Sequence, residues 1–94
     1  MLTYKSSYKW SSAIVLGSVL DFPGTIAYGD SLEQARSNLA SALRDIAETN
    51  LMKGEPLPIP NPTATDPDAD LEEPIHLGIQ TGQQISTTIG AAAP

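Results

Sequence analysis

The chain has 94 residues, no cysteine and one histidine, and its 11 acidic and five basic residues give a formal charge of −6 at pH 7. This length accommodates one small domain. The absence of cysteine excludes disulfides and thiolate metal sites, and His76 alone cannot form a histidine cluster. Because so acidic a chain repels phosphate backbones, we expect no direct nucleic-acid binding.

The negative charge is concentrated towards the C-terminus. Residues 1–60 hold six acids and five bases, whereas all five remaining acids lie between Asp66 and Glu73. This division predicts a domain at 1–60, an acidic Pro-rich linker at 61–73 and a C-terminal tail at 74–94.

Two β-strands are predicted at the N-terminus. Leu2 to Lys9 partly alternates apolar and polar residues, and Ala13 to Leu20 is an apolar run of eight residues with several β-branched side chains. We expect a hairpin that turns between Lys9 and Ser12, with Gly17 marking a bulge or a close backbone approach. The apolar run is far shorter than the ~20 residues of a membrane-spanning helix, and no signal cleavage site follows it, so we expect a cytoplasmic protein.

A turn and a short strand follow the hairpin. Pro23 presets the φ angle for the second position of a type II turn, and Gly24 accepts the positive φ of the third position. Asp21 is expected to act as a turn or capping acceptor. Thr25 to Tyr28 predicts a third strand, which Gly29 ends.

The start of a helix is the strongest local signal in the chain. Ser31 and Gln34 have the spacing of a capping box, in which each side chain accepts a hydrogen bond from a backbone N–H group at the helix start. Asp30 and Glu33 place negative charge at the positive end of the helix dipole.

The predicted helix has one apolar stripe and a defined end. Lys53 and Gly54 supply a cation and a left-handed cap, so the helix should run from about Leu32 to about Met52. The apolar residues recur at helical spacing: Leu32, Ala35, Leu39, Ala42, Leu43, Ile46 and Ala47.

The segment after the helix is extended and then polar. Glu55 to Pro62 alternates proline with other residues, which excludes a helix or an interior strand there. The acidic stretch that follows has too little apolar surface to order itself. Pro74 to Ile79 alternates apolar with other residues and predicts a fourth strand, either at a sheet edge or across a dimer. Gln80 to Pro94 predicts a loosely held tail.

The sequence predicts no catalytic, cofactor or metal site. Asp21, Asp30 and Glu33 could converge as the carboxylates of a metal-dependent nuclease, but each already has a structural explanation in a turn or a cap. His76 is the only imidazole available for base catalysis, and a partly exposed strand residue explains it better. We therefore expect an interaction protein and not an enzyme.

Self-association is expected on physical grounds. A small core and a sheet with open edges both favour pairing with another copy, so we predict a homodimer or a higher homo-oligomer. The candidate interface residues are Trp10, Ile75 and Leu77. For Trp10, an interface anchor and a cover for one end of the core are equally good explanations.

Four stretches between residues 19 and 58 stand in a distinctive order: Val19-Leu20-Asp21-Phe22-Pro23-Gly24, Gly29-Asp30-Ser31-Leu32-Glu33-Gln34-Ala35, Ala42-Leu43 and Gly54-Glu55-Pro56-Leu57-Pro58. In this order they resemble the HicB-like antitoxin family, and the resemblance covers residues 1 to about 60. Cysteine often stands in that family where this chain has Thr25, and the family's hairpin turn usually contains Asp-Gly.

The resemblance implies an α+β fold, a small partial ribonuclease H-like β-β-β-α(-β) domain with one long helix on an antiparallel sheet and no catalytic carboxylates. It also implies a partner, a small basic RNA-cleaving HicA-type toxin that the domain covers. Family members commonly add a C-terminal DNA-binding domain, but nothing after Pro62 has the helical period or basic charge for one. We expect an antitoxin-like binding module; the alternative is a stand-alone homo-oligomeric scaffold or regulatory protein.

Overall fold

The computed structural model describes residues 2–80 and 84–89 and shows an α+β domain, as predicted. One five-stranded sheet has the strand order β3-β2-β1-β4-β5, and every neighbouring pair is antiparallel. The elements in chain order are β1 (Leu2–Ser11), β2 (Ile14–Val19), β3 (Ile26–Gly29), α1 (Leu32–Met52), β4 (Leu71–Gln80) and β5 (Gln84–Ile89).

The core lies between α1 and one face of the sheet, which we call the helix face. Because side chains alternate along a strand, every second strand residue points towards α1. The opposite side of the sheet is called the open face. The buried apolar residues of the core are Tyr4, Tyr8, Val15, Val19, Phe22, Ala27, Ala35, Leu39, Leu43, Ala47, Ile75 and Leu77.

The β1–β2 hairpin is longer and its turn tighter than predicted. Ser11 pairs with Ile14, so only Ser12 and Ala13 form the loop. Two-residue hairpin loops require positive φ, and Ser12 adopts a φ of 55°. The predicted turn from Lys9 to Ser12 is therefore wrong, because no glycine or asparagine marks the position where φ becomes positive.

Gly17 allows a close approach by side chains, and not the bulge or close backbone approach that the sequence predicted. It pairs with Tyr8 across the hairpin, and a Cβ at Gly17 would lie 2.8 Å from the Tyr8 ring and 3.3 Å from Leu39. A side chain here would therefore push the sheet and α1 apart.

The type II turn after β2 is confirmed. Gly24 has a φ of 86°, and the N–H of Thr25 donates to the carbonyl of Phe22 over 3.0 Å. Asp21 acts over a longer range than expected, since its carboxylate accepts the backbone N–H of Asn61 over 2.9 Å. It thus fastens the segment that follows the helix.

The helix begins as predicted. The Ser31 hydroxyl accepts the N–H of Gln34 over 3.1 Å, and the Gln34 side chain accepts the N–H of Asp30 over 2.6 Å, one residue before the helix cap. A Cβ at Gly29 would collide with the backbone of Ala35. Only glycine therefore lets β3 end so close to the first turn of α1.

The helix also ends as predicted. Gly54 has a φ of 72°, and its N–H donates to the carbonyl of Leu51 over 3.1 Å. The N–H of Glu55 donates back to Asn50 over 2.8 Å, which completes a Schellman-type end.

The C-terminal strands differ from the prediction. β4 begins at Leu71 instead of Pro74 and lies between β1 and β5, so the prediction of an edge strand is wrong. Gln84–Ile89 forms β5, so the predicted loose tail is wrong for that part. Residues 81–83 and 90–94 of the predicted tail lie outside the described residues. The start of β4 was missed because it contains the two acids Glu72 and Glu73, whose partners could not be read from the sequence. Glu72 binds Thr65, Asp66 and Lys5, and Glu73 binds Arg36 of α1.

Candidate protein-interaction surfaces

An acidic strap, residues 61–70, lies across the open face of the sheet over β1. Ser7 shows this, since its side chain points to the open face and the residue is only 2% exposed. The Ser7 hydroxyl donates to the Asp66 carboxylate over 3.5 Å. The N–H of Asp70 donates to the carbonyl of Tyr8 over 2.9 Å, and the Asp70 carboxylate accepts the N–H of Trp10 over 2.8 Å. The strap is therefore fastened to the strand by its backbone as well as by its acids.

Glu72 in β4 holds the other side of the strap. Its carboxylate accepts the N–H of Asp66 over 2.8 Å and the hydroxyl of Thr65 over 2.7 Å, and it lies 3.5 Å from the Lys5 ammonium. The N–H of Asp66, then the hydroxyl of Thr65 and the charge of Lys5, lower the pKa of the Glu72 carboxyl. The Lys9 ammonium also forms an ion pair, since it lies 3.6 Å from the Asp66 carboxylate.

The strap consequently presents acids in fixed positions. Asp68 and Asp70 are exposed on it, and the N–H of Asp68 donates to the Asp66 carboxylate over 3.0 Å. Together with Asp66 and Glu72, they place four acids within the seven positions 66–72. Such a surface attracts a cationic partner and orients it.

An apolar strip occupies the open face at the β3 end of the sheet. It consists of Ile14 and Leu16 on β2 and Ile26 and Tyr28 on β3. Leu16 pairs with Tyr28 across the two strands, and Leu16 is half-buried. Ile14, Ile26 and Tyr28 are 45%, 50% and 57% exposed. Contiguous exposed apolar side chains of this kind mark interaction sites on soluble domains.

A part-buried ion pair lies on the helix face. Two nitrogens of the Arg36 guanidinium donate to the two carboxylate oxygens of Glu73 over 2.9 and 2.7 Å, and Glu73 is only 6% exposed. This bond raises the pKa of Arg36. The Ser6 hydroxyl donates to the Glu73 carbonyl over 2.8 Å, so the acid is held from two sides. The pair joins α1 to β4 and has a structural role.

A groove of about 610 Å³ lies where the Pro-rich segment meets β1 and β4. Leu2, Lys5, Pro60 and Pro62 contribute to its walls. The ammonium of Lys5 is engaged by Glu72 and also lies 3.5 Å from the carbonyl oxygen of Pro62. The groove therefore offers mainly apolar contacts to a ligand.

The residues singled out from the sequence for their structural motifs form turns and caps. Pro23 and Gly24 form the turn, Gly29 the approach of β3 to α1, Ser31 and Gln34 the helix start, and Gly54 the helix end. Asp21 binds Asn61, and among the described residues no three His, Asp or Glu side chains are placed to hold a metal ion. The Nδ1 atom of His76 lies 2.9 Å from the Thr3 hydroxyl across the β1–β4 pair.

Two of the three predicted interface residues are wrong. Ile75 and Leu77 are 0% and 1% exposed, because β4 is interior and both side chains point to the helix face. Trp10 is 48% exposed near the end of β1 and is available for contact. Sequence reasoning missed the apolar strip, although the three successive apolar residues Ile14, Val15 and Leu16 indicate a strand that is apolar on both faces there.

No family model matches the chain, and neither a curated protein nor a solved structure matches it. The resemblance to the HicB-like family stays a prediction. Within the described residues, no helix has the length and apolar content needed to cross a membrane.

Proposed function

We propose that the chain is a cytoplasmic antitoxin-like binding module, which neutralises a small basic HicA-type toxin ribonuclease by covering it. The observation that carries this proposal is the acidic strap, which is fixed over the open face of the sheet. A ribonuclease needs cationic residues to hold the phosphates of its substrate. A rigid acidic surface competes for those same residues.

The fixation of the strap matters for affinity. An acidic segment that is disordered when free loses conformational entropy when it binds. Here the carboxylates of Asp66, Asp70 and Glu72 accept hydrogen bonds within the chain, while Asp68 and Asp70 are exposed to a partner. Part of the ordering cost is therefore met during folding, and the outward acids are positioned for a basic partner.

The turn before β3 and the cap at the start of α1 are consistent with the same proposal. The turn at Pro23-Gly24 and the cap at Ser31 and Gln34 carry the family resemblance, and they adopt the turn and cap conformations that their own residues predict. They lie before and at the start of α1, which covers one face of the sheet, while the strap lies on the other face.

The direct test uses a small basic protein encoded by a gene adjacent to the gene for this chain. The two purified proteins should form a complex on size-exclusion chromatography, and RNA cleavage by the partner should fall to background at stoichiometric addition. Absence of a complex, or of any such gene nearby, would contradict the toxin proposal.

The second candidate function is a stand-alone homo-oligomeric scaffold or regulatory protein of the same fold. The apolar strip favours it, because this surface has the composition of a contact between protein chains. An isolated gene and a stable oligomer that binds no toxin would favour this function over the first.

A further inference from the structure

The apolar strip adjoins an edge of the sheet. The strand order places β3 at one end, with β2 on its inner side. Strands at sheet ends present backbone donors and acceptors that can pair with another chain. The carbonyl of Tyr28 accepts the side-chain amide of Asn38 over 2.7 Å, which leaves its second lone pair for a partner strand.

The strip differs from the rest of the open face in its charge. None of its four residues is charged, and β3 reads Ile-Ala-Tyr-Gly. The nearest open-face cation in the pairing register, Lys9 opposite Leu16, is bound to Asp66. Two copies that each carry a charge of −6 repel one another least where both surfaces are uncharged.

This charge pattern indicates which molecule would bind at the apolar strip, namely a second copy of the chain. A basic partner is attracted to the strap and gains no electrostatic energy at the strip. A second acidic copy has the opposite preference. A two-fold contact also requires a surface that is complementary to itself, and an uncharged apolar strand satisfies that condition.

We propose that two copies of the chain associate through antiparallel pairing of β3 with β3 around a two-fold axis. The two sheets then become continuous, and the apolar strips of the two copies become neighbours on one surface. Ile26 and Tyr28 of each copy pack across the axis against the same residues of the other. This inference specifies the self-association of the second candidate function and does not depend on a toxin.

Sedimentation velocity of the full chain tests the proposal over a concentration series reaching tens of micromolar. Wild type should sediment as a dimer, and Tyr28→Lys should raise the dimer dissociation constant more than about tenfold, because it brings two cations together at the axis. Ile26→Lys provides a second variant on the same strand. Met52→Lys is the matched control, since Met52 is an 88% exposed apolar residue at the end of α1.

The outcomes separate this proposal from the toxin proposal. Circular dichroism first confirms that each variant is folded. A monomeric wild type, or a dimer that both lysine variants on β3 leave unchanged, would overturn the β3 interface. Retained toxin binding by a monomeric Tyr28→Lys variant would support two separate surfaces, whereas loss of toxin binding in that variant would contradict their separation.

Discussion

The two faces of the sheet are held by different forces. The helix face is closed by apolar packing, with Leu39 and Leu43 of α1 completely buried and one charged pair, Arg36 with Glu73, at its margin. The open face is covered over β1 by hydrogen bonds and ion pairs of the acidic strap and is uncovered at the apolar strip. Packing fixes the fold on one side, and polar contacts hold the acidic strap in place on the other.

This difference means that substitutions on the two faces should have different consequences. Changes on the helix face should reduce the free energy of unfolding. Changes to the outward residues of the open face should alter association while leaving stability almost unchanged. Substitutions on each face can therefore separate the two roles, and the largest effects are expected on the helix face.

Leu39→Ala should lower the free energy of unfolding by about 3 kcal/mol, because it opens a cavity between α1 and the sheet. Leu51→Ala on the same helix is the control and should cost less than about 1 kcal/mol, since Leu51 is 41% exposed. Urea denaturation measures both. Equal losses would show that α1 is not packed through Leu39.

Arg36→Leu should cost about 3 kcal/mol, because it leaves the buried carboxylate of Glu73 without its partner. The matched control is Arg44→Leu, whose pair with Asp45 spans 4.0 Å between exposed side chains, and its cost should stay below about 0.5 kcal/mol. If thermal unfolding gave the same melting temperature for both variants, the ion pair would have no role in joining α1 to β4.

The two core tyrosines should respond differently to loss of the hydroxyl group. Tyr4→Phe removes a 2.7 Å hydrogen bond to the carbonyl of Pro58 and should cost about 1 kcal/mol. The buried Tyr8 hydroxyl has no hydrogen-bond partner among the described residues, so Tyr8→Phe should be neutral or slightly stabilising. A larger loss for Tyr8→Phe in urea denaturation would contradict this assignment.

The smallest effect is the pH dependence of the strap. The folded-state pKa of Glu72 lies below its ordinary value of 4.5, so its contribution to stability is complete above that value. The contribution is lost as the pH falls through the lower, folded-state pKa. Melting temperatures measured between pH 7 and pH 3 should therefore fall less steeply for Glu72→Gln than for wild type. Parallel curves would mean that Glu72 does not hold the strap.

Local signals in the sequence predict α1 and its supports well. Ser31, Gln34, Pro23 and Gly24 act on neighbours within a few residues, so their roles follow from spacing alone. The burial of Ile75 could not be predicted in the same way, because it depends on which strands flank β4.

The strap illustrates the same limit. Composition indicates an acidic linker, but its order depends on contacts such as Asp66 with Lys9 and Asp70 with Trp10, which join distant parts of the chain. The acidic strap and the apolar strip consist of residues that, taken singly, give no signal in the sequence. They become visible only when the strands are paired.

The proposal that a basic partner binds at the acidic strap is tested most directly by reversing a charge on the strap. Asp68→Lys should weaken binding of the partner toxin more than about tenfold in calorimetric titration, while the melting temperature stays unchanged. Asp45→Lys is the control, because Asp45 is an exposed acid on the outer side of α1. Binding lost with Asp68→Lys and kept with Asp45→Lys is the predicted result. Equal affinity of both variants and wild type would contradict the claim.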